Sequence, residues 1–221
     1  MRKLVYVLMA LILISCDPMV IFTEPQPQGK EDLSNFPGKY LGMYRQSNDS
    51  SIYLVTEKEI LEKYEEYIAD SRDDILAEED IELIGDTVLL MEDELSFPVT
   101  CRNDSVFGWI VLYDTIFSIN RGDRLRKLGK HYFINMPGDS LWVVVKLQFN
   151  KNGSVYKADI DHEAEMDIFR QHCDVEVVTD DEGNPSRYIL DPTSKELKKL
   201  LKLDTFTDTT GYVRISQELP R

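Results

Sequence analysis

Three histidines, three cysteines and a Ser-x-x-Lys quartet are the residues of this chain from which catalysis or metal binding could be built. A zinc centre needs three or four nitrogen or sulfur donors converging at about 2 Å. His162 and His172 stand ten residues apart on one expected helix, about 280° apart around its axis at 3.6 residues per turn. They cannot share an ion there unaided, even with Asp161, Glu163, Glu165 and Cys173 nearby in sequence. His131 precedes the strand-like run Tyr132-Phe133-Ile134. Ser154-Val155-Tyr156-Lys157 has the spacing of a serine activated by a lysine one helical turn away, but it follows a turn and enters a strand, where residues three apart point to opposite faces. Asp180-Asp181-Glu182-Gly183-Asn184 gathers oxygens around a glycine without the alternating acids and closing bidentate glutamate of a calcium loop. Phosphate-binding glycine loops, dinucleotide fingerprints, nucleophile elbows and Cys-x-x-Cys pairs are absent from the sequence. The expectation is a protein without catalytic residues, metal or cofactor.

The elements that must carry these residues are mostly strands. One unit recurs, a turn pair followed by Ser or Thr and an apolar stretch: Asn48-Asp49-Ser50-Ser51-Ile52, Gly85-Asp86-Thr87-Val88, Asn103-Asp104-Ser105-Val106, Gly138-Asp139-Ser140-Leu141 and Asn152-Gly153-Ser154-Val155. Asn, Asp and Gly tolerate the left-handed backbone of tight turns, and the β-branched and aromatic residues behind them suit a pleated strand. Antiparallel hairpins follow. Three helices are expected between them. Thr56 with Glu59 has the form of a capping box, in which hydroxyl and carboxylate satisfy free amides reciprocally, and Ile60, Leu61, Tyr64, Ile68, Ile75 and Leu76 continue at roughly helical spacing. A second helix spans about 162–172. The third opens at Pro192-Thr193, with Glu196 completing another box and Leu197, Leu200 and Leu201 as its apolar side. A last strand is expected within Phe206 to Ile215. The predicted fold class is α+β, a largely antiparallel sheet of hairpins with about three helices. Residues 36–221 are expected to form one domain, with Trp109, Tyr113, Trp142 and Phe149 in its core. Residues 16–35, rich in Pro and polar residues and lacking any period, read as a flexible tether.

With 40 acids against 25 bases the chain carries a formal charge of -15, which excludes nucleic acid as a partner, since phosphates demand a basic face. It permits a cationic protein. At 43% hydrophobic and 10% aromatic residues there is apolar material for a real core, unlike a disordered acidic tail.

The first residues set the compartment. Arg2 and Lys3 precede an apolar run of only Leu4 to Ile14, short of the ~20 residues that span a bilayer and laid out as a secretory signal peptide over residues 1–15. Leu13-Ile14-Ser15-Cys16 resembles the lipobox of bacterial lipoproteins. The resemblance implies cleavage between Ser15 and Cys16 and lipidation of Cys16, giving a membrane partner through the acyl chains. Export permits a disulfide between Cys101 and Cys173, but nothing in the sequence brings the two within bonding range, and two buried free thiols are the expectation. Asp17-Pro18-Met19-Val20 lacks the acidic run of surface-exported Bacteroidetes lipoproteins, so the implied location is the outer membrane, facing the periplasm.

Phe36-Pro37-Gly38-Lys39-Tyr40, His131-Tyr132-Phe133-Ile134-Asn135, Leu141-Trp142-Val143 and Pro192-Thr193-Ser194-Lys195-Glu196-Leu197 together resemble small β-rich Bacteroidetes lipoproteins. Asp86-Thr87-Val88, Asp104-Ser105-Val106, Asp114-Thr115-Ile116, Asp139-Ser140-Leu141 and Asp208-Thr209-Thr210 are similar to the O-glycosylation consensus of that phylum. It implies sugar on Thr87, Ser105, Thr115, Ser140 or Thr209. The expected function is a non-catalytic binding or structural module of the cell envelope. The alternatives are an inhibitor or immunity lipoprotein that caps a cationic enzyme and, behind it, a periplasmic hydrolase or metal protein built on the histidines.

Overall fold

The computed structural model describes residues 19–48, 51–78, 80–91 and 95–219. The signal peptide and Cys16 lie outside these residues, as do Asp49 and Ser50 of the first turn unit. The fold is α+β, a large, mostly antiparallel sheet with three α-helices. Its first strands are β1 (Met19–Phe22), β2 (Gly42–Gln46), β3 (Ile52–Val55), β4 (Glu59–Ser71) and β5 (Ile81–Ile84). The middle of the chain forms β6 (Thr87–Leu90), β7 (Leu95–Arg102), β8 (Ser105–Ser118), β9 (Arg124–Leu128) and β10 (His131–Gly138). The last are β11 (Leu141–Phe149), β12 (Ser154–Asp159), β13 (Asp174–Thr179), β14 (Pro185–Asp191) and β15 (Asp208–Ser216). The helices are α1 (Arg72–Ala77), α2 (His162–Arg170) and α3 (Ser194–Leu200). No helix among the described residues is long and apolar enough to cross a membrane.

The main path runs β13-β14-β1-β11-β12-β15-β2-β3-β4-β8-β7-β6-β5, with β10 on the free side of β11 and β9 beside β10. Among the described residues β1 and β14 run parallel and all other pairs are antiparallel. Successive side chains of a strand point to opposite faces, and β10 and β11 are buried on both. Tyr132, Ile134, Val145 and Leu147 enter one core with Tyr44, Val55, Ile60, Phe117 and Val155 from the curled sheet. Phe133 and Val144, one residue out of phase, enter a second core under the helices with Met166, Phe169, Leu197 and Leu200. That double burial explains why Tyr132-Phe133-Ile134 reads as an unbroken apolar run.

The expected tether is corrected by the structure. From Met19 the chain is strand, with Phe22 fully buried, and 23–35 is packed loop. Beyond backbone bonds from Thr23 to Leu190 and from Leu33 to Leu125, side chains satisfy much of its backbone. The buried Asn135 accepts from the Gln26 amide at 2.6 Å and donates to the Gln26 carbonyl at 2.9 Å, as a neighbouring strand would. Arg126 donates to the Pro25 and Pro27 carbonyls and to Asp32. No hydrophobic period is needed for such a segment, so none was there to read.

The first expected helix is likewise mostly strand. Thr56 does accept from the Glu59 amide at 3.0 Å, but its own amide bonds the Glu59 carbonyl at 2.9 Å and closes a hairpin turn. Glu59 turns to Ser118 at 2.9 Å instead of capping. Ile60, Tyr64 and Ile68 recur every four residues, a spacing that fits one face of a helix and, being even, one face of a strand. Thirteen pairs with the β-prone β8 decide for strand, and only α1 remains helical, capped by Ser71 on the Asp74 amide. The second helix ends at Arg170, so His172 lies beyond it. The third stands as expected, its Thr193 and Glu196 box complete.

Replacing Phe22 by Ala should lower stability by about 3–5 kcal/mol, measured by urea unfolding with intrinsic fluorescence. A change within the noise would mean that β1 is dispensable and that the body begins after residue 35.

Candidate functional site

The strands β4 and β8 are longer than their neighbours and carry the chain away from the curled sheet as an arm, their ladder extending roughly 40 Å at about 3.4 Å per residue. The arm has its own core. Ile110, Val106, Val99, Phe97, Val88 and the α1 residue Ile75 are buried together on one face of the sheet β4-β8-β7-β6-β5. The register places the neighbouring residues on the other face: Tyr67 opposite Trp109, Lys63 opposite Tyr113, and Phe107 opposite Thr100. That face is open. Trp109 is 60% exposed and Tyr67 51%, with ring centroids 5.1 Å apart and tilted at 48°. Beside them Pro98, Thr100, Arg102 and Phe107 line a groove of about 620 Å³. Glycine is required at 108, because a Cβ there would lie 2.8 Å from a Val99 methyl and 3.1 Å from the Pro98 carbonyl.

The charge of the molecule is concentrated on the same arm. Between Glu62 and Asp114 the sequence holds sixteen Asp or Glu against three bases, Lys63, Arg72 and Arg102, leaving 24 acids and 22 bases for the rest. The arm therefore accounts for nearly all of the net charge. Surface aromatics inside a strongly negative field suit a partner that is basic and offers apolar or cationic groups to the ring faces. The charge clustering was present in the sequence, hidden by averaging over the chain. The exposure of Trp109 and Tyr113 was not: SVFGWIVLY has no polar alternation, and the expectation that these two rings are core is corrected here. Trp142 is half-buried, with the Arg124 guanidinium 4.9 Å from its ring, and Phe149 is buried.

The residues singled out for chemistry are scattered. His131 starts β10, His162 stacks on Tyr188 at the start of α2, and Lys199 lies 3.4 Å from His172. Among the described residues no group of three or more His, Cys, Asp or Glu is placed to hold a metal ion. Ser154 bonds Asn152 at 2.8 Å while Lys157 pairs with Asp159 at 2.8 Å, so the quartet is not a dyad. Asp180 accepts from the amides of Glu182 and Asn184, which hold its carboxyl below the usual range and close the β13–β14 turn. Cys101 and Cys173 are free thiols. Burial pushes Cys173 up to about 12, leaving it protonated and unreactive. Of the consensus hydroxyls, Thr87, Ser140 and Thr209 are exposed, whereas Ser105 and Thr115 are half-buried in β8. Comparison with protein-family models, curated proteins and solved structures gives no match to this chain.

Adjacent residues of β8 should therefore respond oppositely to truncation. Ile110→Ala should cost about 2–5 kcal/mol, and Trp109→Ala less than about 0.5 kcal/mol, by urea unfolding. Equal losses would place Trp109 in the core.

Proposed function

We propose that this chain is a lipid-anchored protein of the cell envelope that binds a cationic protein through the aromatic face of its acidic arm, without catalysis. The observation that carries the reading is that Trp109 and Tyr67, exposed and in contact, belong to a segment, 62–114, whose sequence holds sixteen acids. Exposed Trp and Tyr are the residues that dominate binding energy at protein interfaces, and a concentrated negative field accelerates encounter with a basic partner and repels acidic ones. An arm whose far face is packed on its own core offers them on a rigid sheet.

The lipobox residues Leu13-Ile14-Ser15-Cys16 support anchoring, with Cys16 as the acylated residue. This reading accords best with an inhibitor or immunity lipoprotein, since capping a basic enzyme needs acidity and a few aromatic anchors more than a deep pocket. It makes the outer membrane, periplasmic side, the place of action. Sugar on the exposed Thr87, Ser140 or Thr209 is part of the same proposal, because that modification acts on exported chains.

A photo-crosslinking amino acid placed at Trp109 in the native host should yield one adduct, with a protein of basic isoelectric point. Formation should fall as salt rises, and the same group at the exposed Val213 should give no such adduct. Adducts that are acidic, or identical from both positions, would overturn the arm as the interface. The intact mass of natively expressed protein should exceed that of residues 16–221 by lipid and hexose. Cys16→Ser should remove the lipid increment and release the protein from the membrane fraction, and a mass unchanged by that substitution would overturn the anchor.

A further inference from the structure

Beside the β9–β10 turn the local charge is positive. The β9–β10 turn and the end of α3 enclose a pocket of about 390 Å³ lined by Leu128, Lys130, His131, Lys198, Leu201 and Lys202. Among the described residues none of these three lysines forms an ion pair, and no acid lines the pocket. His131 Nδ1 is buried in its wall without a hydrogen-bond partner. Lysines at the end of a helix complement its dipole, which accounts for Lys198 and Lys202 but not for Lys130, which comes from a different element, or for the space between them.

We propose that this pocket binds a phosphate group, held by the ammonium groups of Lys130, Lys198 and Lys202 over His131. Lysine serves phosphate as a compact, rotatable point charge with three donors, and Leu128 and Leu201 give the pocket apolar walls suited to an ester substituent. The half-buried His131 imidazole, its Nδ1 enclosed, completes it. Burial first, then Lys146 and Lys130, hold the His131 pKa at about 4. Facing it are Lys146, bonded to the Thr205 and Phe206 carbonyls and itself acted on by Glu165 and Asp204, and Lys130, Lys198 and Lys202 of the pocket. An anion in the pocket reverses that field and raises the pKa of His131.

Two sources of phosphate fit, a phospholipid headgroup and a free phosphate or phosphoester. Strands β1 and β10 both pair antiparallel with β11 and so run the same way; Phe22 and Pro137 both oppose Trp142, so Met19 lies level with Ile134 and the chain before it points toward the His131 end of β10. If Cys16 is acylated, as proposed above, three residues spanning at most about 11 Å bring this end against the bilayer. The headgroup then stands within reach of the pocket.

The test follows His131 by NMR in the full chain carrying Cys16→Ser, which separates the pocket from the anchor. In a pH titration His131 should stay neutral to near pH 4, so the stability it contributes is complete above about 6.5 and lost as pH falls toward 4. Inorganic phosphate should raise its pKa. Lys130→Gln, Lys198→Gln and Lys202→Gln together should weaken that response by about tenfold or more, while Lys195→Gln, on the same helix but outside the pocket, should not. Vesicles of phosphatidylcholine with phosphatidylglycerol, against phosphatidylcholine alone, distinguish the sources: a response only to the former assigns the headgroup, and a response to inorganic phosphate alone assigns a free anion. No shift of His131 with either probe, or an undiminished shift in the triple variant, overturns the site. Loss of membrane attachment on Cys16→Ser leaves that outcome untouched, so the anchor and the pocket fail separately.

Discussion

The double burial of β10 and β11 is the constraint on which the rest of the molecule depends. Each strand gives alternate residues to two cores, Tyr132, Ile134, Val145 and Leu147 to the curled sheet and Phe133 and Val144 to the helices. Burying an aliphatic or aromatic side chain stabilises by about 1.5–3 kcal/mol, and a strand filled on both faces gains this at every residue. The register is thereby fixed, because a slip of one would exchange the contents of two differently shaped cores. Everything peripheral hangs on this pair: β9 and the anion pocket on one side, β1 and the β13–β14 hairpin on another, β12 and the path to the arm on the third.

Around that apolar wall the polar residues that are buried act as clamps. Asn135 and Arg126 hold the 23–35 loop. Glu165, on α2, accepts from the Phe206 and Thr207 amides at 2.6 and 2.7 Å and from the Thr207 hydroxyl at 2.6 Å, while Lys146 donates to the Thr205 and Phe206 carbonyls. Phe206 is fully buried with a φ of 65°, a backbone state uncommon for a bulky residue, and these two charged side chains hold the segment there. Burial depresses the Lys146 pKa, with Glu165 acting in the opposite direction. Buried groups of this kind must be bonded or they cost more than they contribute, so each marks a join between elements distant in sequence.

The separation of charge follows from the same architecture. Sixteen acids within the main body would repel one another across a compact core. On a narrow sheet extended from it the described ones are mostly exposed to water and screened by salt over about 10 Å. The body, nearly balanced, can then present lysines at its far end. The acidic aromatic arm and the lysine-lined pocket beside the β9–β10 turn are thus separate surfaces of opposite charge.

What the sequence determined by itself was whatever depends on neighbours in the chain. The turn pairs before Thr87, Ser105, Leu141 and Ser154 set strand entries, the box at Thr193 and Glu196 set α3, and β-branched and aromatic runs set the largely antiparallel sheet. Tertiary structure decided the rest. Ile60, Tyr64 and Ile68 fit helix and strand alike until β8 lay beside them, and 23–35 had no period because much of that loop is held by the side chains of Asn135 and Arg126, far along the chain. Trp109 and Ile110 are both apolar, and only the packing of α1 and β5–β7 against one face of the arm buries the second and leaves the first exposed. Local backbone preference is written residue by residue, but which face of a strand meets water is a property of what folds against it.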